Sequence, residues 1–160
     1  MQPSEIFDLL KQQEFADKIL SFEADALQPG ITVDPWYIED ICYFLRDDER
    51  TALTSLSCLS GVDYGAGKEL GVTYHLQSMK HKHTFVIKVK LQRESSKVPT
   101  IEHIFKAANW HEREAFDMYG IVFENHPDLR RILCPDDWEG NPLRKDYKAA
   151  EYYHGVRVAY

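Results

Sequence analysis

Two segments near the middle of the chain fix its class. In LGVTYHLQSM (70–79) the apolar side chains Val72, Tyr74 and Leu76 alternate with polar ones; in TFVIKVKLQ (84–92) Phe85, Ile87, Val89 and Leu91 do the same, with Lys88 and Lys90 opposite. A period of two places each apolar set on one face of a strand. With KHKH between them, the segments predict a hairpin that buries one face and leaves the other to solvent. Flanking helices must then cover the buried face.

The rest of residues 1–120 supplies those helices. Ser4 predicts the cap of a first helix with Ile6, Leu9 and Leu10 on one face, which Phe15, Ile19 and Leu20 continue less regularly. Pro29-Gly30 precedes a short strand, ITV. Asp34 followed by Pro35 predicts a helix start, because Asp accepts from free amides and Pro pre-sets the first helical φ. That second helix runs to about Arg46 and buries Tyr37, Ile41, Phe44 and Leu45. From Thr51 the run TALTSLSCLSGVDYG reads as a strand ending in a Gly-rich turn. Beyond Pro99-Thr100, the spacing of Ile101, Ile104, Phe105 and Ala108 predicts a short third helix. Asn109 with Glu112 three residues later predicts a capping box opening a fourth, WHEREAFDMY, which stops at Gly120. On it Glu112, Ala115, Phe116 and Tyr119 share a face, while Arg113 and Asp117 are spaced as an i,i+4 ion pair. The expectation is an α+β domain over residues 1–120, an antiparallel sheet covered by helices.

After Gly120 the periodicity stops. Pro127, Pro135 and Pro142 forbid a long helix or a central strand. Yet RRILCPDDWEGNPLRKDY (130–147) carries Ile132, Leu133, Trp138 and Leu143, which suit a solvated linker poorly. Its few large apolar side chains cannot offset the entropy of ordering it unless it covers apolar surface elsewhere. Residues 121–160 are therefore expected to form an extended, proline-containing C-terminal strap laid across another protein. Arg130, Arg131, Arg144 and Lys145 would make charge-assisted contacts along it.

Sites for chemistry are few. Cys42, Cys58 and Cys134 are widely spaced and never form CxxC, so a four-thiolate cluster cannot be built from this chain alone. His111-Glu112 begins like a zinc-protease motif, but Ala115 stands where the second histidine is needed. His81 and His83 supply half a metal site, and Asp136, Asp137 and Glu139 read as a solvated turn or as arginine partners. No GxGxxG, GxxxxGK[ST] or GxSxG occurs. The net charge of −7 is uneven: residues 1–50 carry 12 acids and 4 bases, residues 68–98 carry 7 bases and 2 acids. Without a nucleic-acid-binding motif, that basic stretch reads as a solvated strand face or a patch toward an acidic neighbour. The opening MQPSEIFDLL lacks the pattern of a signal or transit peptide, and no apolar run is long enough to cross a bilayer. An interaction protein is favoured over a free-standing enzyme that uses the His/Glu/Asp set.

The run EREAFDMYGIVFENHPDLRRIL followed by PDDWEGNPLRKDY resembles the signature and strap of the thirty-kilodalton subunit family of respiratory complex I, the proton-pumping NADH:quinone oxidoreductase. The matching residues are Glu112, Arg113, Glu114, Asp117, Gly120, His126, Pro127, Leu129, Arg131, Trp138 and the block Pro142 to Tyr147. The resemblance implies a structural, assembly-type subunit of the hydrophilic arm with no catalytic residue, flavin, iron–sulfur cluster or metal of its own; flavin and clusters belong to partner subunits. It implies docking on the large quinone-site subunit, supporting electron transfer to quinone, through Arg130, Arg131, Trp138, Leu143, Arg144, Lys145, Asp146 and Tyr147. It further implies a peripheral place on the cytoplasmic or stromal face of an energy-transducing membrane, such as the bacterial inner membrane. Similar subunits serve complexes fed by other electron donors, so the match leaves the donor open.

Overall fold

The computed structural model describes residues 1–157; the last three residues of the expected strap, 158–160, lie outside the described residues. The expected hairpin forms as β4 (Leu70–Ser78) and β5 (His83–Leu91), antiparallel, with Val72 opposite Val89, Tyr74 opposite Ile87 and Leu76 opposite Phe85. The two alternating sets thus pair on one face, where all six side chains are buried. β3 (Ser55–Asp63) adds antiparallel to β4 with a bulge near Ser57.

On the other side β2 (Gly30–Val33) pairs with β5 in parallel, and β1 (Ile19–Glu23) pairs antiparallel with β2. The five-stranded sheet has the order β1-β2-β5-β4-β3 and is antiparallel except at the β2–β5 seam. That one departure follows from connectivity, since two strands and a helix intervene between the two. Helices α1 (Pro3–Leu10), α2 (Ile38–Asp47) and α3 (Ala108–Tyr119) contribute Ile6, Leu10, Ile38, Ile41, Leu45, Ala108 and Ala115 to the core against the sheet's apolar face.

Several local expectations are corrected. Gln2, not Ser4, is the cap residue of α1: its amide donates to the Glu5 carboxylate (2.7 Å), and its carbonyl accepts from the Glu5 amide (3.0 Å). Ile19 and Leu20 do not extend that helix; they enter β1, whose backbone groups are satisfied by β2. Asp34 does accept from the Trp36 amide (3.0 Å), but it opens one tight turn before α2, and Tyr37 and Phe44 are only half-buried.

The predicted third helix is absent. Ile101, Ile104, Phe105 and Ala108 are all buried, but turns carry the first three and Ala108 already opens α3, and the Ile101 amide is taken by the Glu112 carboxylate (2.9 Å). Glu112 is consequently unavailable for a capping box with Asn109. The N-terminal residue Ala107 makes no side-chain cap, and preceding turns accept the amides of Ala108 and Asn109.

The core continues past Gly120. Ile121 and Phe123 are buried, and β7 (Val122–Glu124) runs parallel to β6 (Lys97–Pro99), the two joined through α3. Phe123→Ala should cost about 3–5 kcal/mol of stability, read from urea denaturation of the isolated chain. A loss below about 1 kcal/mol would show that this strand is peripheral to the core.

Candidate functional site

The residues of the C-terminal arm converge on the end of α3. A helix leaves its last four carbonyls without intrahelical partners. Here Gly120 turns the chain at φ 72°, and its amide returns to Phe116 O (2.8 Å). The other carbonyls are reached from the arm. Asn141 Nδ2 donates to Asp117 O (3.0 Å), the Leu143 amide to Met118 O (3.1 Å) and Arg144 Nε to Tyr119 O (2.7 Å). A guanidinium also complements the negative end of the helix dipole. A Cβ on Gly120 would lie 2.7 Å from Asn141 Oδ1, so glycine is needed for both the turn and the space.

Asp117 binds the arm from within the helix. Its Oδ2 accepts from three consecutive amides, Ile132 (3.1 Å), Leu133 (2.8 Å) and Cys134 (2.8 Å), and its Oδ1 accepts from Arg131 (2.6 Å). Burial alone would raise this carboxyl. The hydrogen bonds from Cys134, Leu133, Arg131 and Ile132 outweigh it and hold the group below the usual carboxylate range. Arg131 continues to Gly140 O (2.9 Å). The anticipated Arg113–Asp117 pair does not form, because each residue has a more distant partner. Buried Arg113 donates to Arg130 O (3.3 Å), lies 3.6 Å from Asp128 and stacks on Trp110.

A second anchor ties the arm to the sheet. Asp63, at the end of β3, accepts from the Lys145 amide (2.8 Å) and the Gly65 amide (2.8 Å) and pairs with Arg93. Arg93 also reaches Asp146 (3.0 Å) and the carbonyls of Gly65 (2.7 Å) and Lys68 (2.8 Å). No sequence pattern marked Arg93, Asp63, Asn141 or Thr100. The only local hint was Asp63 two residues before Gly65, the spacing of an Asx turn.

The signature residues divide by direction. Glu112 is fully buried; it accepts from the Thr100 hydroxyl (2.5 Å) and the Ile101 amide, and burial pushes its carboxyl up to about 7 against those two bonds. His126 Nε2 lies 3.8 Å from it and 3.2 Å from Asn109 O, while Nδ1 accepts from the Asp128 amide (3.0 Å). Glu114 and Pro127 are exposed. In the arm, Arg130 is exposed and pairs with Asp128 (2.9 Å), the Lys145 side chain is exposed, and Tyr147 packs over Gly140. Half-buried Trp138 leaves its buried Nε1 without a partner among the described residues and faces Tyr153, whose hydroxyl donates to Asp137 (3.0 Å).

The arm's Arg131, Asn141 and Arg144 and the amides of Ile132–Cys134, Leu143 and Lys145 thus bond inward, whereas Leu133 and Leu143 are 61% and 52% exposed; Trp110 is also 64% exposed. His81 contacts Glu49 O (2.8 Å) and stacks on His83. Among the described residues no group of three or more His, Cys, Asp or Glu side chains could hold a metal, and no helix is long and apolar enough to cross a membrane.

Two outcomes test this geometry. Asp117→Asn places an amide NH₂ or a weaker acceptor against three amides and Arg131. It should cost about 3 kcal/mol and accelerate trypsin cleavage at Arg130 and Arg131; unchanged cleavage would mean the arm is held elsewhere. For Glu112, the folded chain keeps the carboxyl protonated up to about pH 7, while the unfolded chain ionises it near 4.5. Stability from this group is thus complete below about pH 4.5, lost as pH rises, and gone above about pH 7, roughly 3 kcal/mol in all. Glu112→Gln should flatten that part of the stability–pH curve between pH 4.5 and about 7; a curve with the same slope would locate the loss in another group.

Residues 31–153 match the family described as "Respiratory-chain NADH dehydrogenase, 30 Kd subunit". The C subunit of NADH-quinone oxidoreductase from Chloroherpeton thalassium is 48% identical over 163 residues, covering 99% of this chain and 67% of that protein. Its namesake from Chlorobium phaeobacteroides is 43% identical over 158 residues, covering 96% and 93%. In fold, the chain is similar to a trypsin-resistant fragment of Nqo5 (TM-score 0.65, 23% identity, 81% of this chain and all of that one). It is also similar to a chain of the archaeal membrane-bound sulfane sulfur reductase, a respiratory membrane complex (TM-score 0.70, 19% identity, 91% and 84%). The signature helix with its arm thus stands in a chain that belongs to the respiratory-chain NADH dehydrogenase 30 kDa subunit family.

Proposed function

We propose that this chain is a non-cofactor-bearing assembly subunit of the hydrophilic arm of a proton-translocating NADH:quinone oxidoreductase. It docks on the large quinone-site subunit and holds in place the module that passes electrons to quinone. The carrying observation is the division of the arm: Arg131, Arg144 and several backbone amides bind the chain's own helix and sheet, while Leu133 and Leu143 stand exposed on a backbone that Asp117 and Asp63 hold in position. Pre-ordered apolar side chains lower the entropy lost on docking. Trp110, exposed and stacked on Arg113, adds a large amphipathic side chain on α3, the residue type that dominates many interfaces.

In this reading flavin and iron–sulfur clusters reside in partner subunits, and the chain meets the membrane only through the complex, on its cytoplasmic or stromal face. Arg131, Arg144 and Asp146 act mainly by shaping the arm. Arg130, Lys145, Leu143, Trp138 and Tyr147 provide the groups on or near its outer surface. The assignment of NADH and quinone follows the names of the sequence relatives.

The test is Leu133→Asp with Leu143→Asp in the native strain. Isolated-chain stability should change little, docking should weaken by about 2–4 kcal/mol, and the assembled complex on blue native gels should fall together with NADH:quinone turnover. Normal assembly with normal turnover would remove the arm from the interface. Normal assembly with lost turnover would give it a direct part in the reaction.

A further inference from the structure

The turn that joins β7 to the arm rests on one histidine. Asn125 takes the left-handed conformation (φ 64°), the His126 amide returns to Phe123 O (3.3 Å), and the imidazole enters the body, where its side chain is fully buried. Its two nitrogens have fixed roles. Nδ1 accepts from the Asp128 amide (3.0 Å), which leaves it without a proton, so the ring hydrogen of the neutral imidazole sits on Nε2. That N–H has two acceptors within reach, Asn109 O at 3.2 Å and Glu112 Oε2 at 3.8 Å. The first is dispensable. Asn109 is the second residue of α3, and its carbonyl already faces the Arg113 amide four residues on in the helix ladder.

The second acceptor is short of donors. Glu112 is fully buried and receives only the Thr100 hydroxyl and the Ile101 amide. A carboxylate removed from water with two donors is costly, and a third donor lowers that cost directly. The other groups that face it supply none. The Tyr74 hydroxyl on β4 is buried without a partner among the described residues, Cys42 lies buried on α2, and burial pushes both upward, so each keeps its proton near neutral pH. Glu102 opposes the ionisation of Glu112 and is itself paired with Lys106 (2.9 Å), while Arg113 turns away to Arg130 O.

We propose that Glu112 and His126 form a proton-linked latch: with Glu112 protonated the imidazole N–H rests on Asn109 O, and when that proton leaves to solvent the N–H moves to the carboxylate. The Asp128 amide, still bonded to Nδ1, draws the turn over residues 125–130 with the ring. Closing the 3.8 Å gap to an ordinary charge-assisted bond takes a shift of about 1 Å. Displacements of this size reset a turn because packed groups have discrete arrangements rather than a continuum of them. Asp128 carries the change outward, since it pairs with Arg130 (2.9 Å) and lies 3.6 Å from Arg113. Burial sets the range in which the latch acts, bringing the Glu112 carboxyl up to about 7. The latch lies within the chain and does not depend on the arm as a docking element.

Solution NMR of the isolated full chain, titrated between about pH 5 and about pH 8.5, reads the latch directly. The Glu112 carboxyl carbon and the amides of Asp128 and Arg130 should move together with one midpoint near 7, and Nδ1 of His126 should keep the nitrogen shift of an unprotonated acceptor at that midpoint. In Glu112→Gln the step at both amides should disappear, because the amide side chain has no proton to lose in this range. A Glu112 step with Asp128 and Arg130 unmoved overturns the latch and gives the third donor to another group, such as the Tyr74 hydroxyl. An amide step that persists in Glu112→Gln overturns Glu112 as its driver. A proton on Nδ1 at the midpoint overturns the transfer of the Nε2 hydrogen bond.

Discussion

The carboxylate of Asp117 is the interaction on which the rest of this architecture depends. It lies in the last turn of α3, fully buried, and it gathers three successive amides and one guanidinium from residues 131–134. Removed from water without those donors, a carboxylate would be protonated or would expel the helix end from the core. With them it becomes the fixed point around which a segment without regular secondary structure is wound. The arm in return supplies what the helix end lacks, since Asn141, Leu143 and Arg144 bond its last carbonyls. Helix and arm complete each other.

The Asp63–Arg93 pair performs a similar task at the other end. Arg93 is only 9% exposed and gives its guanidinium to two carboxylates and its remaining donors to two loop carbonyls. A buried pair of this kind is weak evidence for stability, because desolvation opposes the attraction. Its role is geometric: it fixes β3, the loop after Gly65 and residues 145–146 relative to one another. Glu112 shows the contrary balance, with two donors insufficient to offset burial. Asp117 favours the fold as pH rises through the carboxylate range, whereas Glu112 opposes it toward neutrality, so two carboxyls of the same helix pull the pH optimum in opposite directions.

What was legible in the sequence depended on whether the deciding partner was near in the chain. The β4–β5 hairpin could be read because alternation is local, and the two expected apolar faces lie on one side of the paired strands. The buried face of residues 101–108 was also legible, but its helix was not: the Ile101 amide belongs to a carboxylate eleven positions later. The Arg113–Asp117 pair failed for the same reason, each residue being claimed by residues 128–134. The resemblance singled out the arm and its charged residues. Nothing in their spacing revealed that Arg131 and Arg144 face the chain's own helix while the leucines face out.

Gly120 carries one more implication, which concerns the order of events during synthesis. The groups of the body that hold the arm, among them Asp63, Arg93, Arg113, Asp117 and the carbonyl of Tyr119, precede residues 130–147 in the chain and are positioned by a finished helix and sheet. As the polypeptide leaves the ribosome, residues 130–147 emerge after residues 1–120 and find their partners only once those have folded. The exposed leucines are therefore displayed in fixed positions by a folded subunit alone.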